Sequence, residues 1–300
     1  MSSTGRRYDT VSLLTDLGVA SDLVGALRAV VRDMAPHATV VDLSHGIAPY
    51  DVRGGSLALA RTIGYVPSGV VVAAVDAATD RPHVAIEVAG GEGVLVGPDN
   101  GLLAPAVAMA GGAERAVLLD DPTRHLPSPG GLLAVRDIYV PAAAHLCNGV
   151  DLAELGSEVA VEALLPGVVP LPREGSDGSV MAEVLWVNHL GDCQLNIGPD
   201  DILSADPVRG GSPRVEVSVG TPPDTTVRVA EWVAHVGSLA AGAVGVMLDP
   251  HGMVSLVLSR RSAADELGIG VGDQVTVRLV DGAQPVSSPV QAPVVRRTAG

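Results

Sequence analysis

Short, unbroken apolar runs alternate with helical patterns in the first half of the chain, and this alternation constrains the fold most. The runs VSLLT, TVVDLS and GVVVAAVD predict strands, and the segments 21–34 and 51–66 between them carry apolar residues at helical spacing. Strands that are apolar on both faces are typical of parallel sheets covered by crossover helices. The sequence therefore predicts an N-terminal α/β domain over residues 8–163, with a mostly parallel sheet flanked by helices.

The pattern changes after a segment rich in Pro and Gly at residues 164–178. Beyond it, short segments such as RVEVSV, MVSLVLS and QVTVRLV are separated by turn residues, and several alternate apolar with polar residues. Short strands without long intervening helices are typical of an antiparallel sheet or barrel. We therefore expect a C-terminal antiparallel β-barrel-like domain over residues 179–282, and a disordered tail after Ala283.

Composition narrows the class of partner and the compartment. Lys and Arg number 19 and Asp and Glu 34, and the net charge of -15 would repel nucleic acid and anionic membranes, although solubility alone also explains it. No apolar run approaches the roughly 18 residues of a membrane span, and the first ten residues lack a signal-peptide core. Cys147 and Cys193 stand far apart, which indicates neither a disulfide scaffold nor a zinc module, so a reducing, cytoplasmic location is expected.

Three of the predicted strands end in acidic residues, Asp16, Asp42 and Asp76. Because the carboxyl ends of parallel strands share one edge of a sheet, where ligands collect, we expect these side chains to lie along one rim. Such a rim would repel a phosphate, and TDLGVASD has a single Gly where phosphate-binding turns have several. A ribose diol fits better, because one carboxylate accepts hydrogen bonds from two hydroxyl groups.

Each of these polar residues also has a structural interpretation. Asp16 is compatible with a simple Asx turn, and Asp42, Ser44 and His45 are compatible with side chains that satisfy nearby backbone groups. A metal site at His45 is not favoured, because no second His or Cys stands at ligand spacing. The GPDNG segment at 97–101 is most simply a turn in which Asn or Gly supplies a positive φ.

Six ordered motifs relate the chain to a known family: LLTDLG, VVDLSHGIAPYDVRGG, the strand that ends in Asp76, VGPDNGLL, RDIYVPAAAHLCNGVDLAELG and GMVSLVLSRRSAADELGIGVGD. In order and spacing, over about residues 15–280, they resemble the S-adenosyl-L-methionine (SAM) hydroxide adenosyltransferase family, which includes SAM-dependent fluorinases and chlorinases. The resemblance implies the two-domain fold, a homotrimer, and a SAM site between the N-terminal domain of one subunit and the C-terminal domain of its neighbour. It implies no separate cofactor and no metal, because SAM is itself the substrate.

The implied reaction is attack by water, hydroxide or halide on ribose C5′, which displaces methionine and yields adenosine or a 5′-halogenated adenosine. Because the sulfonium is already an activated leaving group, the site needs chiefly to align the nucleophile and strip its water. By position, Asp16 matches the aspartate that holds the ribose hydroxyls, and Asp76 matches the aspartate of hydroxide-type members, where halogenases carry Tyr. The resemblance also places at the ligand the helix start at Ser21 and Asp22, the wall residue Tyr50, and the backbone of Ser259 and Arg260.

The chain departs from the family pattern at the expected catalytic group. Arg81, in the shortened loop DAATDRP, stands in for the arginine that pairs with the catalytic aspartate. Ala134 occupies the position of the family's catalytic His. The alternatives for the missing imidazole are His189 and His251, each of which is also explained as a surface residue of a turn.

Further departures fall in the second half of the chain. In NHLGD, Asn188 keeps a carbonyl for the methionine ammonium, and Asp192 accepts from the adenine amine but does not donate to a ring nitrogen. His251, in DPHG, replaces a Ser-rich turn and is the donor expected for the methionine carboxylate.

These residues favour a divergent SAM hydrolase that forms adenosine and L-methionine, with Asp76 polarising the water and Arg81 orienting it. Because Ala134 replaces the family His, a catalytically silent adenosine- or SAM-binding protein is the alternative from another class. A halide-using 5′-halo-adenosine synthase is less favoured, because Asp76 would place a negative charge beside an incoming anion.

Overall fold

The chain divides into two compact units, Met1–Val169 and Pro170–Gly300. The division falls within the segment rich in Pro and Gly, while the domain bounds 8–163 and 179–282 stay a prediction. The computed structural model describes residues 7–78, 80–128, 130–202, 213–220 and 225–280. The tail after Ala283 lies outside the described residues.

The described part of the first unit contains one seven-stranded sheet. Its strands are β1 (Thr10–Thr15), β2 (Thr39–Ser44), β3 (Gly69–Ala74), β4 (His83–Val88), β5 (Gly93–Pro98), β6 (Ala113–Leu118) and β7 (Glu158–Val159). Their order across the sheet is β2-β1-β3-β5-β4-β6-β7. The first three strands and β5 pair in parallel, and β4, β6 and β7 pair antiparallel. This confirms the predicted mostly parallel sheet.

Helices cover both faces of this sheet, namely α1 (Asp22–Met34), α2 (Val52–Ile63), α3 (Ala104–Met109) and α4 (Val140–Cys147). The two longer ones begin where a side chain accepts a backbone N–H that no helical carbonyl reaches. Ser21 accepts from Leu23 at the start of α1, and Asp51 accepts from Gly54 at the start of α2. The helices predicted at 21–34 and 51–66 are therefore confirmed, each with a polar cap.

Alternate residues of β3 belong to two different cores, one on each face of the sheet. Val70 and Val72 pack in the core that includes Leu27 of α1, whereas Val71 and Ala73 pack in the core that includes α2. All five residues are almost completely buried. Burial on both faces explains why this strand is an unbroken apolar run rather than an alternation.

The second unit is a closed barrel. Its described strands are β8 (Arg173–Glu174), β9 (Ser179–Val187), β10 (Cys193–Leu195), β11 (Arg214–Val219), β12 (Thr226–Trp232), β13 (Val244–Leu248), β14 (Val254–Leu258) and β15 (Gln274–Leu279). The order β10-β14-β13-β12-β11-β15-β9 closes because β10 also pairs with β9, and β8 extends the sheet beside β9. Two short helices, α5 (Pro199–Ile202) and α6 (Ala263–Leu267), accompany the barrel. The barrel-like fold is confirmed.

One pairing departs from the antiparallel arrangement that the sequence predicts. Strands β12 and β13 run parallel, with Glu231 beside Gly245 and Trp232 beside Val246. The connection 233–243 contains a 3-10 turn at Val236–Ser238. It returns the chain to the end of the sheet at which β12 begins, so that β13 runs in the same direction as β12 and no hairpin forms. Sequence alternation has the same period for both directions, so it does not distinguish them. Among the described helices, none combines the length and apolar character that crossing a membrane requires.

Candidate active site

A cavity of about 460 Å³ opens at the carboxyl edge of β1 and β3 in the first unit. It brings together three residues that the sequence places at the ligand, Asp16, Tyr50 and Asp76. Asp16 directly follows β1, and Asp76 follows β3 by two residues. The parallel topology therefore juxtaposes two carboxylates that lie 60 positions apart in the chain.

The Asp16 carboxylate links three segments around this cavity. Its Oδ2 accepts the backbone N–H of Tyr50 at 3.3 Å and that of Asp76 at 3.1 Å. Its own backbone N–H donates to the Ala74 carbonyl at 3.2 Å. Among the described residues, none donates a hydrogen bond to Oδ1. Asp16 thus does more than close a local turn, and it keeps an oxygen for hydroxyl groups of a ligand.

Backbone strain coincides with the predicted site residues. In the described part of the chain, the non-glycine residues with positive φ are Tyr50 at 64°, Asp76 at 50° and Arg260 at 59°. The left-handed conformation costs an L-residue roughly 1–2 kcal/mol, and it persists where the surroundings over-determine it. At Tyr50 and Asp76, the hydrogen bond to Asp16 is the contact that holds the strained N–H in place.

Asp76 presents a half-buried carboxylate to the cavity. Its backbone is fixed from two sides, because Asp16 accepts its N–H and Asn100 Nδ2 donates to the preceding carbonyl of Val75 at 3.1 Å. No described residue donates a hydrogen bond to its carboxylate oxygens. The carboxylate is therefore available to accept a proton or a hydrogen bond from a bound water. The GPDNG segment is the expected turn, and Gly101 supplies its positive φ of 91°.

Arg81 contacts the loop after β5. Its Nε donates to the Asp99 carbonyl at 3.0 Å, and its Nη2 lies 3.6 Å from the Asp99 carboxylate. Asp99 Oδ1 also accepts the Leu165 N–H at 2.8 Å, so this arginine joins a network that fixes the loop after β5. Arg81 is not among the described residues that line the cavity. These contacts give Arg81 a loop-holding role, and its expected orientation of the water stays a prediction.

Ala134 lines the cavity, and the same cavity contains an imidazole that the sequence did not reveal, His83. His83 is the first residue of β4, and its Nδ1 lies 2.6 Å from the Tyr139 hydroxyl. Burial, and to a lesser degree nearby His125, lowers the pKa of His83 below its ordinary value. Because β4 runs antiparallel to β5, it begins where the parallel strands end. Only this topology, and no local motif, places His83 at the rim.

Asp42 and His45 form a structural network, as one of the two interpretations expects. The buried His45 ring lies 2.9 Å from Thr15 Oγ1 through Nδ1 and 3.1 Å from Asp42 through Nε2. Arg28 also pairs with Asp42. Although burial opposes it, pairing with Arg28 and His45 lowers the pKa of Asp42. Asp42 lies within β2 and braces the end of β1 that carries Asp16.

Ser21 and Asp22 belong to the start of α1 rather than to the cavity wall. The Ser21 hydroxyl accepts the Leu23 N–H at 3.3 Å, so it is used as the helix cap. Asp22 is exposed in the first helical turn, where a negative charge complements the helix dipole. Neither residue is among the described residues that line the cavity. Their expected part in ligand binding stays a prediction.

In the second unit, Asn188 and Asp192 close the tight turn between β9 and β10. Asn188 Oδ1 accepts the N–H groups of Leu190 at 2.8 Å and Asp192 at 3.0 Å, and its Nδ2 donates to the Asp192 carboxylate at 2.9 Å. The side-chain carbonyl expected at the methionine ammonium thus also accepts two hydrogen bonds within the turn, and its part in binding stays a prediction. Gly191, with a φ of 84°, supplies the reversal.

Four predicted binding residues meet at one end of the barrel, and a fifth does not. Ser259 and Arg260 follow β14, and the Asn188–Asp192 turn lies beside them because Gly191 accepts the Ala264 N–H at 3.0 Å. His251 precedes β14, in a turn that Asp249 organises by accepting the His251 N–H at 2.8 Å. A five-residue strand spans roughly 17 Å. The expected parts of Asn188 and His251 in holding the methionine group stay predictions.

The exposed His189 and His251 both lie in these turns of the second unit. The described residues contain no group of three or more His, Cys, Asp or Glu side chains arranged to hold a metal ion. The site residues assigned from the resemblance remain predictions, and the structure adds that Asp16, Tyr50 and Asp76 share a cavity with His83.

Comparison with known proteins agrees with the sequence motifs. Residues 11–156 match the model of the SAM hydroxide adenosyltransferase N-terminal domain. The chain is 37% identical to an (R)-S-adenosyl-L-methionine hydrolase from Salinispora tropica over 267 residues, which cover 89% of this chain and 97% of the relative. It is 23% identical to a fluorinase from Nocardia brasiliensis, over 93% of this chain and all of that enzyme.

The fold is also similar to a solved structure. An uncharacterized conserved protein from Thermotoga maritima superposes with a TM-score of 0.78 and 27% sequence identity. The match covers 89% of this chain and 99% of that protein, so both units have counterparts in it.

Proposed function

The chain belongs to the SAM hydroxide adenosyltransferase family, which is related to the fluorinases, and we propose that it is a SAM hydrolase. In this reaction water attacks ribose C5′ of S-adenosyl-L-methionine, and the products are adenosine and L-methionine. The hydrolase from Salinispora tropica is named for the (R) epimer, so the (R)-sulfonium is the substrate that we expect to be preferred. The observation that carries the proposal is the cavity that Asp16 and Asp76 share.

The mechanism requires little beyond positioning and a proton acceptor. Asp16 accepts hydrogen bonds from the ribose hydroxyls through the oxygen that the backbone leaves free, and Tyr50 walls the sugar. Asp76 then lies at the same rim to accept a proton from the attacking water. The sulfonium leaves as a neutral thioether, so no acid is needed to protonate the leaving group.

The remaining residues are proposed to hold a loop or to bind other parts of SAM. Arg81 holds the loop after β5 through Asp99, and the turn residues of the second unit, Asn188, Asp192, Ser259 and Arg260, are proposed to meet the base and the amino-acid portion of SAM. Of these, the strained backbone of Arg260 is the strongest support, because positive φ outside glycine concentrates at ligand sites.

We also propose a homotrimer, as the resemblance implies. Two large side chains at the cavity rim are mostly exposed in the single chain, Tyr50 at 75% and Leu132 at 60%. Such apolar exposure supports a neighbouring subunit that covers the rim. Light scattering after size exclusion tests this assembly, and a mass equal to one chain would reject it. The cytoplasmic location expected from composition stays a prediction.

Two other functions give different outcomes in the same assay. A silent nucleoside-binding protein, which the alanine at position 134 favours, would be stabilised by adenosine while SAM stayed intact. A halide-using enzyme, which the fluorinase similarity favours, would convert SAM to a 5′-halo-adenosine when chloride or fluoride is added. The carboxylate of Asp76 in the cavity opposes the second, because it repels an anion approaching C5′.

The test is to incubate purified protein separately with (R)-SAM and (S)-SAM and to quantify adenosine and methionine by liquid chromatography. We expect equimolar adenosine and methionine above the spontaneous background, with faster turnover of the (R) epimer. Equal product in the presence and absence of protein, for both epimers, would reject hydrolysis.

A further inference from the structure

His83 lines the cavity with a polar side chain, but the mechanism proposed above does not use it. It pairs with Pro98, the last residue of β5, and β5 lies beside β3, which leads into Asp76. His83 thus reaches the same rim as the two carboxylates and lines the cavity with them. In the described residues it is the only imidazole of this lining.

The orientation of the ring is fixed from beneath. The π-helical turn Val135–Tyr139, which the Leu133 N–H to Asp137 hydrogen bond of 2.9 Å helps to anchor, places the fully buried Tyr139 under His83. The two rings meet edge to face, with centroids 5.2 Å apart, and the tyrosine hydroxyl lies 2.6 Å from Nδ1. Such a contact prevents the ring from flipping Nδ1 toward the cavity.

The same contact selects the tautomer. Burial raises the pKa of Tyr139, so its hydroxyl stays protonated, and no described residue other than His83 accepts a hydrogen bond from it. The hydroxyl therefore donates to Nδ1, and the ring proton of neutral His83 is on Nε2. Burial also lowers the pKa of His83, which keeps the ring neutral at physiological pH. No described residue accepts from Nε2.

Resting on the proposed function, we infer that His83 holds the attacking water by donating its Nε2–H to the water oxygen. The water then donates one hydrogen to Asp76 and directs its remaining lone pair at C5′. These two contacts fix the nucleophile, and they use an acceptor and a donor that no described side chain satisfies. Because His83 and Ala134 line the same cavity, the imidazole from β4 compensates for the imidazole that is missing at position 134.

The step is balanced without any further reactant. The O–C5′ bond forms as the C5′–S bond breaks, and the electron pair of that bond moves to sulfur, which leaves as neutral methionine thioether. One water proton passes to the Asp76 carboxylate and later to solvent, and the other stays on the 5′-hydroxyl of adenosine. His83 keeps its proton throughout, so it acts as a donor and not as a base.

The test compares His83→Gln with His83→Leu. Glutamine places an N–H near the Nε2 position, whereas leucine fills similar space without a donor. We expect His83→Leu to lower kcat by about tenfold or more with KM changed less than about threefold, and His83→Gln to recover most of the loss. The matched control is His37→Leu, because His37 is a partly buried histidine before β2, at the opposite edge of the same sheet.

The outcomes separate this inference from the proposed function. Adenosine release by the wild type with an unchanged kcat in His83→Leu would overturn the role of His83 and leave hydrolysis intact. No adenosine release by the wild type would overturn both. If His83→Leu lacks the wild-type thermal shift with adenosine, the fold of the cavity is damaged, and the kcat of His83→Gln alone then decides: a value near wild type supports the donor, and a value at background rejects it.

Discussion

Asp16 Oδ2 accepts the backbone N–H of Asp76 at 3.1 Å, so the residue proposed to hold the ribose also fixes the residue proposed to accept the water's proton. This contact couples the position of the sugar to the position of the nucleophile. An in-line displacement depends on the distance between the water oxygen and ribose C5′, because misplacement of the reacting atoms by about 1 Å costs on the order of 10²-fold in rate.

Replacing Asp16 separates its two tasks. Asp16→Asn keeps an acceptor for the Tyr50 and Asp76 N–H groups, and we expect a folded protein whose adenosine affinity falls by about tenfold or more, because bonds to a charged acceptor are stronger. Asp16→Ala leaves both N–H groups unpaired, and the free energy of unfolding should fall by about 1–3 kcal/mol. Calorimetry with adenosine and urea unfolding measure the two effects. The control is Asp33→Asn on the exposed side of α1, and equal affinities in it and in Asp16→Asn would contradict the prediction.

Asp76→Asn tests the proton acceptor. The amide keeps the size of the side chain but no longer accepts a proton, so kcat should fall by about 10²-fold or more while KM stays within a few-fold. Adenosine formation under single-turnover conditions measures the chemical step. The thermal shift with adenosine should persist, because the contacts of Asp16 are unchanged in this variant. A kcat within about twofold of wild type would remove Asp76 from the mechanism.

The sequence predicts the two-domain fold and the acidic rim, because both follow from periodicity and from the edge that parallel strands share. Asp16 and Asp76 are visible in this way, since each comes directly after a buried apolar run. His83 is not visible, because a lone histidine at the start of a strand belongs to no motif, and it reaches the rim only once β4 has paired antiparallel with β5. The partner of Arg81 is also hidden, since Asp99 belongs to another loop and meets Arg81 only after β4 and β5 pair.

Tyr50→Gly should raise stability and lower affinity together. Glycine adopts the φ of 64° without the penalty that tyrosine incurs, so the free energy of unfolding should rise by up to about 1 kcal/mol, while the wall against the sugar is lost. Tyr65→Gly is the matched control, because Tyr65 is similarly exposed, at 77%, and does not have a positive φ. We expect Tyr65→Gly to lower stability by about 0.5–1 kcal/mol. Urea unfolding of both variants, with adenosine titration, decides; a loss of stability in Tyr50→Gly would contradict the strain at this position.

The two cysteines should be unreactive in the folded protein. Burial raises the pKa of the Cys147 thiol to about 12 and that of the Cys193 thiol to about 12. At pH 8, below these values, both groups are protonated, and the thiol form is a poor nucleophile. Iodoacetamide at pH 8 should therefore label neither residue in buffer and both in 6 M guanidinium, as mass spectrometry of the intact chain will show. Fast labelling of either residue under native conditions would show that its surroundings open to solvent.

Variants of Arg81 and Asp99 distinguish two possible roles of Arg81, which are to orient the water and to hold the loop after β5. The structure joins its guanidinium to Asp99, so a loop-holding role predicts that its effect on catalysis passes through Asp99. We therefore expect Arg81→Met and Asp99→Asn each to lower kcat by a few-fold, and the double variant to be no worse than the poorer single variant. Direct orientation of water predicts instead that the losses multiply, because Arg81 would then act on the nucleophile independently of Asp99.

Arg124→Met is the control, since Arg124 pairs with Glu154 outside the described lining of the cavity, and its kcat should equal that of wild type. Adenosine formation by the four proteins of the cycle, at saturating SAM, provides the comparison.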